Sequence, residues 1–220
     1  MTERKRDRYD VSELVEAQFE PGSKNKVLIN QLGIISQSEM DIAEAVALER
    51  TVDKIKDFYD EAHQFSSKDI QDIHNLWLGN IYKWAGQYRQ VNLSSEGITY
   101  AAASQIPKLM DEYENNVLKV QTPCNFDSTD QVINAIAEVH TELILIHPFR
   151  DGNGRVARLL STLMALQANF PLLNFEPMTG DNRENYYSAI MEGFNRNYEP
   201  MERIFRLVIN LTLSDHGKKA

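Results

Sequence analysis

The amino-acid sequence predicts an all-α fold. Between Ser38 and Leu211 most segments carry apolar residues at helical spacing, which is typical of amphipathic helices that share a core. Proline, glycine and short polar runs stand between those segments, where helices end. Residues 88–100 alone have a β-prone pattern, and a lone hairpin cannot form the core of a domain. The sequence therefore indicates a helical body that carries one small hairpin.

The first part of the chain is predicted to hold two short helices and one long one. Pro21-Gly22-Ser23 ends the first short helix, and Gly33 ends the second, at 28–32. Ser38 can cap a helix that runs to about Phe65, because no proline or glycine interrupts it. Its charged residues are interpreted as a solvated face. Its apolar positions are Ile42, Val46, Leu48, Val52, Ile55, Phe58 and Tyr59.

Further helices are predicted from cap residues and helical periodicity. One begins at Ser67, and two more cover 104–120 and 128–146. Pro148 disfavours helical geometry at His147, so the helix that precedes it should stop there. The remaining helices should cover 155–168, start after Asp181 or Asn182, and open at Pro200 with a polar tail at 215–220.

The composition indicates one domain without a nucleic-acid or membrane surface. The chain has 220 residues, a net charge of −9 and 42% hydrophobic residues, whereas general binding to nucleic acid or anionic lipid needs clustered positive charge. No apolar run approaches the roughly 20 residues of a membrane span. The single cysteine, Cys124, rules out an internal disulfide. We expect a cytoplasmic protein whose residues 1–8 are disordered.

One stretch, residues 147–158, unites a base, a carboxylate, a glycine-flanked turn and two arginines. Gly152-Asn153-Gly154 falls at a predicted helix start, which presents free N–H groups and partial positive charge. Glycine permits positive φ and close approach of backbone to a ligand, and asparagine tolerates left-handed geometry. The turn is therefore a candidate phosphate-binding loop.

The charged residues around this turn fit a phosphate site. Arg155 and Arg158 lie three positions apart on one helical face, where both could hold phosphate oxygens. Asp151 would be repelled by a polyphosphate unless Mg²⁺, which prefers carboxylate and phosphate oxygens, lay between them. His147 can serve as the base for a hydroxyl nucleophile. The local chemistry indicates phosphoryl or nucleotidyl transfer.

A structural interpretation competes with this one. A helix–loop–helix junction with a glycine turn, a histidine at the helix end and solvated arginines occurs in many scaffolds. Outside residues 147–158, packing roles are favoured for the other histidines, because no pair of them has metal-ligand spacing. These are His63, His74, His140 and His216.

The run His147-Pro-Phe-Arg-Asp-Gly-Asn-Gly-Arg-Val-Ala-Arg158 resembles the complete signature of the Fic family, and the resemblance extends over roughly residues 65–210. It implies a bundle of about eight helices with a β-hairpin flap: an N-terminal helical extension at 1–64, a catalytic core at 65–214 and a tail. It also implies transfer of AMP from Mg-ATP to a Tyr, Thr or Ser hydroxyl of a target protein, with release of pyrophosphate. Related transferases differ in the group that they transfer: they use UTP, a phosphocholine-bearing nucleotide, or ATP as a donor of its γ-phosphate. A nucleotide-binding regulatory protein without turnover stays an alternative.

The resemblance also assigns roles to individual residues. His147 would be the base, Asp151 would hold Mg²⁺, and Phe149 would anchor the loop. The phosphate-binding residues would be Gly152, Asn153, Gly154, Arg155 and Arg158. A target-binding flap would be formed by Ile98, Thr99 and Tyr100, which would pair with the target's backbone.

Two further segments each allow two interpretations. Asn185, Tyr186 and Tyr187 follow the motif helix and are candidates for the nucleobase pocket, with a packing role as the alternative. Ser188 and Glu192 match the short inhibitory pattern of the family, whose glutamate pairs with the second motif arginine, but the segment also resembles a core helix. If Glu192 is an ordinary helix residue, a small antitoxin-like partner could supply the inhibitory glutamate. A homodimer is a further expectation.

Overall fold

The structure, a computed structural model, describes residues 14–95 and 97–217. This part of the chain is mostly helical, with irregular segments between the helices and one two-stranded hairpin, which confirms the predicted all-α class. The expectation for residues 1–8 and the last three residues of the predicted tail lie outside the described residues. The α-helices are α1 (Gln37–Ile55), α2 (Ser67–Leu78), α3 (Ile106–Tyr113), α4 (Lys119–Gln121), α5 (Thr129–Ile146), α6 (Asn153–Gln167), α7 (Arg183–Gly193) and α8 (Glu199–Gly217).

Helix α5 is the central element. It packs against α3, α6, α7 and α8, and most of its residues are buried. Its start is fixed by a capping box, in which Ser128 Oγ accepts from the N–H of Gln131 and the Gln131 side chain accepts from the N–H of Ser128. It ends at His147, as Pro148 predicts. The central helix thus delivers His147 to the surface of the core.

The hairpin is shorter than its sequence pattern suggests. Strands β1 (Ser94–Ser95) and β2 (Ile98–Thr99) pair antiparallel, with Ser94 opposite Thr99. Tyr100 N donates to Leu93 O at 3.2 Å and extends the pairing by one bond. The predicted hairpin is therefore present, and its base lies over the end of α5.

Helix α1 differs from the prediction in length and in orientation. It ends at Ile55 rather than near Phe65, because Asp60 forms a turn in which its Oδ1 accepts from Ala62 N at 3.0 Å. Two residues of the predicted apolar stripe, Ile42 and Val46, are 65% and 41% exposed. The buried residues of α1 are Met40, Glu44, Thr51 and Ile55.

The short helix predicted at 28–32 is wrong. Leu28 instead forms an antiparallel bridge with Phe19. Asn30 Oδ1 accepts from Leu32 N and Ile34 N at 3.1 and 3.0 Å, so a local side-chain turn replaces the helical bonds. At the other end, α8 continues to Gly217, so the first residues of the predicted tail are helical. In the described ranges, no helix has the length and apolarity needed to cross a bilayer.

Candidate active site

A pocket of about 590 Å³ lies where α6 begins. One wall comes from the end of α5 and the hairpin, and the opposite wall from α7 and the turns that precede it. The predicted site residues that line it are Tyr100, His147, Asp151, Gly152, Asn153, Gly154, Arg155, Arg158, Tyr186 and Tyr187. The fold thus brings together the base, the glycine turn and both arginines of residues 147–158.

His147 is held in one tautomer. It is the C-cap of α5 with left-handed backbone angles (φ 53°, ψ 60°), which turns its ring back towards the helix end. Nδ1 lies 3.1 Å from Ile144 O. A carbonyl oxygen accepts but does not donate, so Nδ1 carries the proton and Nε2 keeps the lone pair. Nε2 is therefore the basic atom of this residue.

The surroundings keep the His147 ring neutral. Its pKa is lowered from 6.5 to about 4, mainly by burial and also by the Arg89 charge, against the opposing effects of the Ile144 carbonyl and the Asp151 charge. The Tyr100 ring stacks on the imidazole with 3.6 Å between centroids and 14° between planes. At neutral pH the histidine is therefore unprotonated, as a base must be.

The glycine turn forms the start of α6. Gly152 is the N-cap with φ 82°, a left-handed conformation that L side chains rarely adopt. A Cβ on this residue would lie 2.6 Å from the Trp77 ring, so glycine is required for space as well. No side chain caps the helix start, and the N–H groups of its first residues, Asn153 and Gly154, are free of intrahelical bonds. The backbone therefore offers an anion site.

The Asn153 side chain differs from its expected role. Its Oδ1 accepts from Phe149 N at 2.8 Å and its Nδ2 donates to Phe149 O at 2.9 Å. Both polar ends of the amide are thus used within the loop, and only the backbone N–H is left for phosphate. Phe149 itself is fully buried, as an anchor would be.

His74, from α2, holds the other side of the loop. Its Nε2 lies 3.1 Å from Asp151 O, and its Nδ1 accepts from Gly86 N at 2.8 Å. One neutral tautomer, with the proton on Nε2, satisfies both bonds. The ring also stacks on Phe149 at 3.9 Å between centroids, and burial lowers its pKa to about 4. The packing role expected for His74 thus includes two hydrogen bonds that shape the loop.

Arg155 and Arg158 have different environments, although both were expected to clamp phosphate. Arg155 Nη1 lies 2.6 Å from Glu44 Oε2, and its Nη2 lies 3.4 Å from Asp151 Oδ1. The Arg155 guanidinium also sits 4.5 Å from the centre of the Trp77 ring. Across residues 14–95 and 97–217, Arg158 has no carboxylate within ion-pair distance, and burial lowers its pKa. Of the two arginines at 155 and 158, Arg158 is therefore the one available for an anionic ligand.

Arg89 connects the hairpin to the motif loop. It is 1% exposed, and its guanidinium donates to three carbonyl oxygens at 2.6–2.7 Å, those of Val91, Ala101 and His147. Its backbone N–H donates to Pro148 O at 2.9 Å. The residue thus fixes the base of the hairpin against the peptide that carries the histidine.

The candidate nucleobase residues separate into two groups. Tyr186 and Tyr187 line the pocket, whereas Asn185 is exposed and does not. Tyr186 OH lies 2.8 Å from His140 Nε2, and His140 Nδ1 lies 3.1 Å from Ser161 Oγ. Because Ser161 Oγ donates to Ala157 O, the chain of bonds runs from the tyrosine to α6 and fixes the Tyr186 ring.

The structure does not bring the inhibitory pattern near Arg158. Ser188 and Glu192 are both exposed on α7. Glu192 Oε2 accepts from Asn197 Nδ2 at 2.9 Å. The segment is an ordinary core helix with its charged face in solvent, which favours the alternative interpretation.

The sequence pattern did not identify three residues that contribute to the site: Glu44, Arg89 and His74. Each acts through a contact between residues far apart in the chain, and such contacts leave no local spacing to detect. Glu44 is an acid on a helix whose charged residues were taken as solvated. One signal could have identified Glu44: an orientation of α1 that buries Glu44 leaves apolar residues of the same helix in solvent.

The fold and the site define a helical domain in which a helix start without a side-chain cap lies beside a neutral, buried histidine. Residues 64–165 match the Fic/DOC family. The match begins just before α2 and ends within α6.

Similar proteins were found by sequence and by structure. The protein adenylyltransferase Fic of Nematostella vectensis is 28% identical over 142 residues, which is 61% of this chain and 30% of that protein. The protein adenylyltransferase VbhT of Bartonella schoenbuchensis is 26% identical over 166 residues, covering 73% of this chain and 34% of that protein. The chain thus spans about a third of the length of these curated relatives.

The fold is shared with solved structures of effector proteins. The Bartonella tribocorum BepC protein with bound AMPPNP superposes with a TM-score of 0.70 at 20% identity, covering 89% of this chain and 97% of BepC. An N-terminal Fic domain from Bartonella quintana with bound ADP gives 0.68 at 24% identity, covering 86% and 92% of the two chains. These likenesses establish the Fic fold over most of this chain.

Proposed function

We propose that the protein is an adenylyltransferase that moves AMP from ATP to a Tyr, Thr or Ser hydroxyl of a target protein. The target hydroxyl oxygen forms a bond to the α-phosphorus, and the bond from that phosphorus to the bridging oxygen of pyrophosphate breaks. His147 Nε2 takes the hydroxyl proton. Pyrophosphate leaves with the electron pair of the broken bond.

One observation carries this proposal. His147, with its lone pair on Nε2, and Arg158, with no carboxylate partner among residues 14–95 and 97–217, line the same pocket at the start of α6. A base, a free cation and backbone N–H groups around one cavity suit attack by a hydroxyl on a bound phosphate ester. The curated relatives named adenylyltransferases support AMP as the group transferred.

The nucleotide would lie with its phosphates on the α6 start. The N–H groups of Asn153 and Gly154 and the Arg158 guanidinium would be the donors for phosphate oxygens, and Tyr186 and Tyr187 line the same pocket. AMPPNP and ADP in the two Bartonella structures support ATP as the ligand.

Asp151 fits a Mg²⁺ ion that arrives with the phosphates. Its side chain is 50% exposed at the mouth of the pocket. The described residues hold no cluster of three or more metal-ligating side chains, so an all-protein cage is not the arrangement here. One carboxylate plus phosphate oxygens is a common way to hold Mg²⁺. When bound, the ion would neutralise phosphate charge.

The target would approach along the hairpin. Thr99 is exposed, whereas Ile98 is buried and Tyr100 lies against His147. A target strand would therefore form hydrogen bonds with the backbone of the hairpin rather than contacts with the side chains of Ile98 and Tyr100. We place the reaction in the reducing cytoplasm, in line with the single cysteine. Control by a small acidic partner that covers Arg158, and homodimerisation, are part of the same proposal.

The function is tested by labelling a cell lysate with purified protein, Mg²⁺ and ATP that is radioactive at either the α- or the γ-phosphate. We expect label on protein from the α-phosphate and none from the γ-phosphate. His147→Ala should lower the rate about 100-fold or more and leave ATP affinity within a few fold. Label from the γ-phosphate alone would establish a kinase instead, and competition by UTP or a phosphocholine-bearing nucleotide would reveal another donor.

A further inference from the structure

Glu44 is a buried carboxylate that lies outside the family match, in the N-terminal helix α1. It is 5% exposed, and each carboxylate oxygen has its own partner. Oε1 accepts from Tyr82 OH at 2.7 Å, and Oε2 pairs with Arg155 Nη1 at 2.6 Å. The backbone carbonyl of Glu44 accepts from Trp77 Nε1 at 3.0 Å. Three contacts thus fix the residue on α2, on the turn that follows it and on the motif.

The contacts of Glu44 make a line that ends in the pocket. Arg155 pairs with Glu44 through Nη1, and its Nη2 lies 3.4 Å from Asp151 Oδ1. The Trp77 ring, which Glu44 also holds, lies beneath the guanidinium at 4.5 Å. The exposed carboxylate assigned to Mg²⁺ is therefore connected to the buried one by a single arginine.

The Glu44–Arg155 ion pair could either keep Arg155 away from phosphate or hold the site in its active geometry. The burial of Glu44 distinguishes these roles. If a phosphate drew Arg155 away, Glu44 would remain as an unpaired charge in the core, which is strongly unfavourable. Arg158 is already available for phosphate without such a cost. Arg155 is therefore expected to stay on Glu44 when nucleotide binds.

We propose that Glu44 is a positioning residue of the active site, which acts through Arg155 to fix Asp151 and the phosphate end of the pocket. The N-terminal helix is then part of the catalytic apparatus rather than an appended segment. This inference rests on the proposed function for its effect on transfer, but its effect on Mg-ATP binding is independent of that function.

The experiment compares Glu44→Gln, which removes the charge at nearly constant size, with Glu49→Gln, an exposed glutamate of the same helix. Equilibrium binding of a fluorescent ATP analogue is titrated with Mg²⁺, and kcat and KM for labelling are measured in parallel. Residues that orient a metal ligand typically affect metal affinity 10- to 100-fold. We expect Glu44→Gln to raise the Mg²⁺ concentration for half-maximal binding about 10-fold and to lower kcat more than it raises KM. Glu49→Gln should behave as the wild type does.

A double-mutant cycle with Asp151→Asn separates positioning from simple loss of structure. If Glu44 acts through Arg155 on Asp151, Glu44→Gln should have no further effect on Mg²⁺ dependence once Asp151 is changed. Additive effects would overturn the proposal. Melting temperatures report whether each variant is folded.

Glu44→Asp covers the case in which Glu44→Gln does not fold, because it keeps the charge and withdraws it by one methylene. Wild-type Mg²⁺ dependence and kcat in this variant would overturn the proposal, and a shift in the same direction as expected for Gln would support it. If the wild-type protein labels nothing, the proposed function fails, and the binding titration still tests Glu44.

Discussion

The ring of Tyr100 lies parallel to the imidazole of His147, 3.6 Å away between centroids. The tyrosine belongs to the end of the hairpin and the histidine to the end of α5, so the stack joins the proposed target-binding element to the proposed base. Tyr100 OH lies 2.8 Å from Ser95 Oγ on the opposite strand. The hairpin and the histidine ring therefore share one rigid contact.

Loss of the stack between Tyr100 and His147 should slow AMP transfer without changing the affinity for ATP. Aromatic pairs contribute about 0.5–1.5 kcal/mol beyond burial, so Tyr100→Leu should lower kcat up to about 10-fold. Tyr100→Phe is the matched control, because it keeps the ring and removes only the hydroxyl. Rates of AMP labelling measure the effect, and equal loss in the Phe and Leu variants would show that the hydroxyl, not the stack, matters.

The pH profile should reflect the shifted His147. The base must be unprotonated, and burial lowers its pKa to about 4. An ordinary histidine with a pKa of about 6.5 would be mostly protonated at pH 5.5. We expect kcat/KM to stay within about twofold between pH 7.5 and 5.5. A tenfold fall with an apparent pKa near 6.5 would mean that another environment surrounds the base in solution.

Glu192→Gly should not activate the protein. Glu192 is exposed and bonded to Asn197, and it has no contact with Arg158. The change puts a second glycine beside Gly193 at the end of α7, which should cost about 1 kcal/mol in stability. Self-modification and target labelling are the measurements. A silent wild type that Glu192→Gly activates by orders of magnitude would instead identify a glutamate–arginine lock.

Folding stability should fall with acid, and His74 is one of three buried histidines that cause this, with His140 and His147. The folded pKa of His74 is about 4, below the unfolded value of about 6.5. Between those values the unfolded chain binds more protons than the folded one, so stability is full above pH 6.5 and decreases as the pH drops towards 4. The contribution between pH 7 and 5 is about 2 kcal/mol.

His74→Gln isolates this contribution. The glutamine amide can donate to Asp151 O and accept from Gly86 N, but it does not titrate. Urea unfolding at pH 7 and pH 5 should show a smaller decrease in the variant than in the wild type, although the variant is less stable at pH 7 because it lacks the stack on Phe149. An unchanged decrease would assign the acid sensitivity to other groups, such as His140, whose pKa burial lowers to about 3.

The sequence was most informative where chemistry is local. Pro148 predicted the end of α5, and the glycine turn predicted the start of α6 to within two residues, because both depend on backbone preferences of neighbouring residues. The end of α1 was placed about ten residues too late, since the turn at Asp60 competes with a helix that has no proline or glycine to stop it. Glu44 and Arg89 act on residues more than 50 positions away, and no local pattern reports such a pairing.

Gly152 has no side chain, and the Trp77 ring occupies the space where one would be, with 2.6 Å between the ring and an added Cβ. The same ring system supports the Arg155 guanidinium, which lies 4.5 Å from the ring centre. A single methyl group at position 152 would therefore displace the indole and disturb the Glu44–Arg155 ion pair without touching it. Positions 77 and 152 should consequently vary together in a combinatorial library: a smaller residue at 77 removes the clash with a side chain at 152, and the strain of the positive φ at 152 remains.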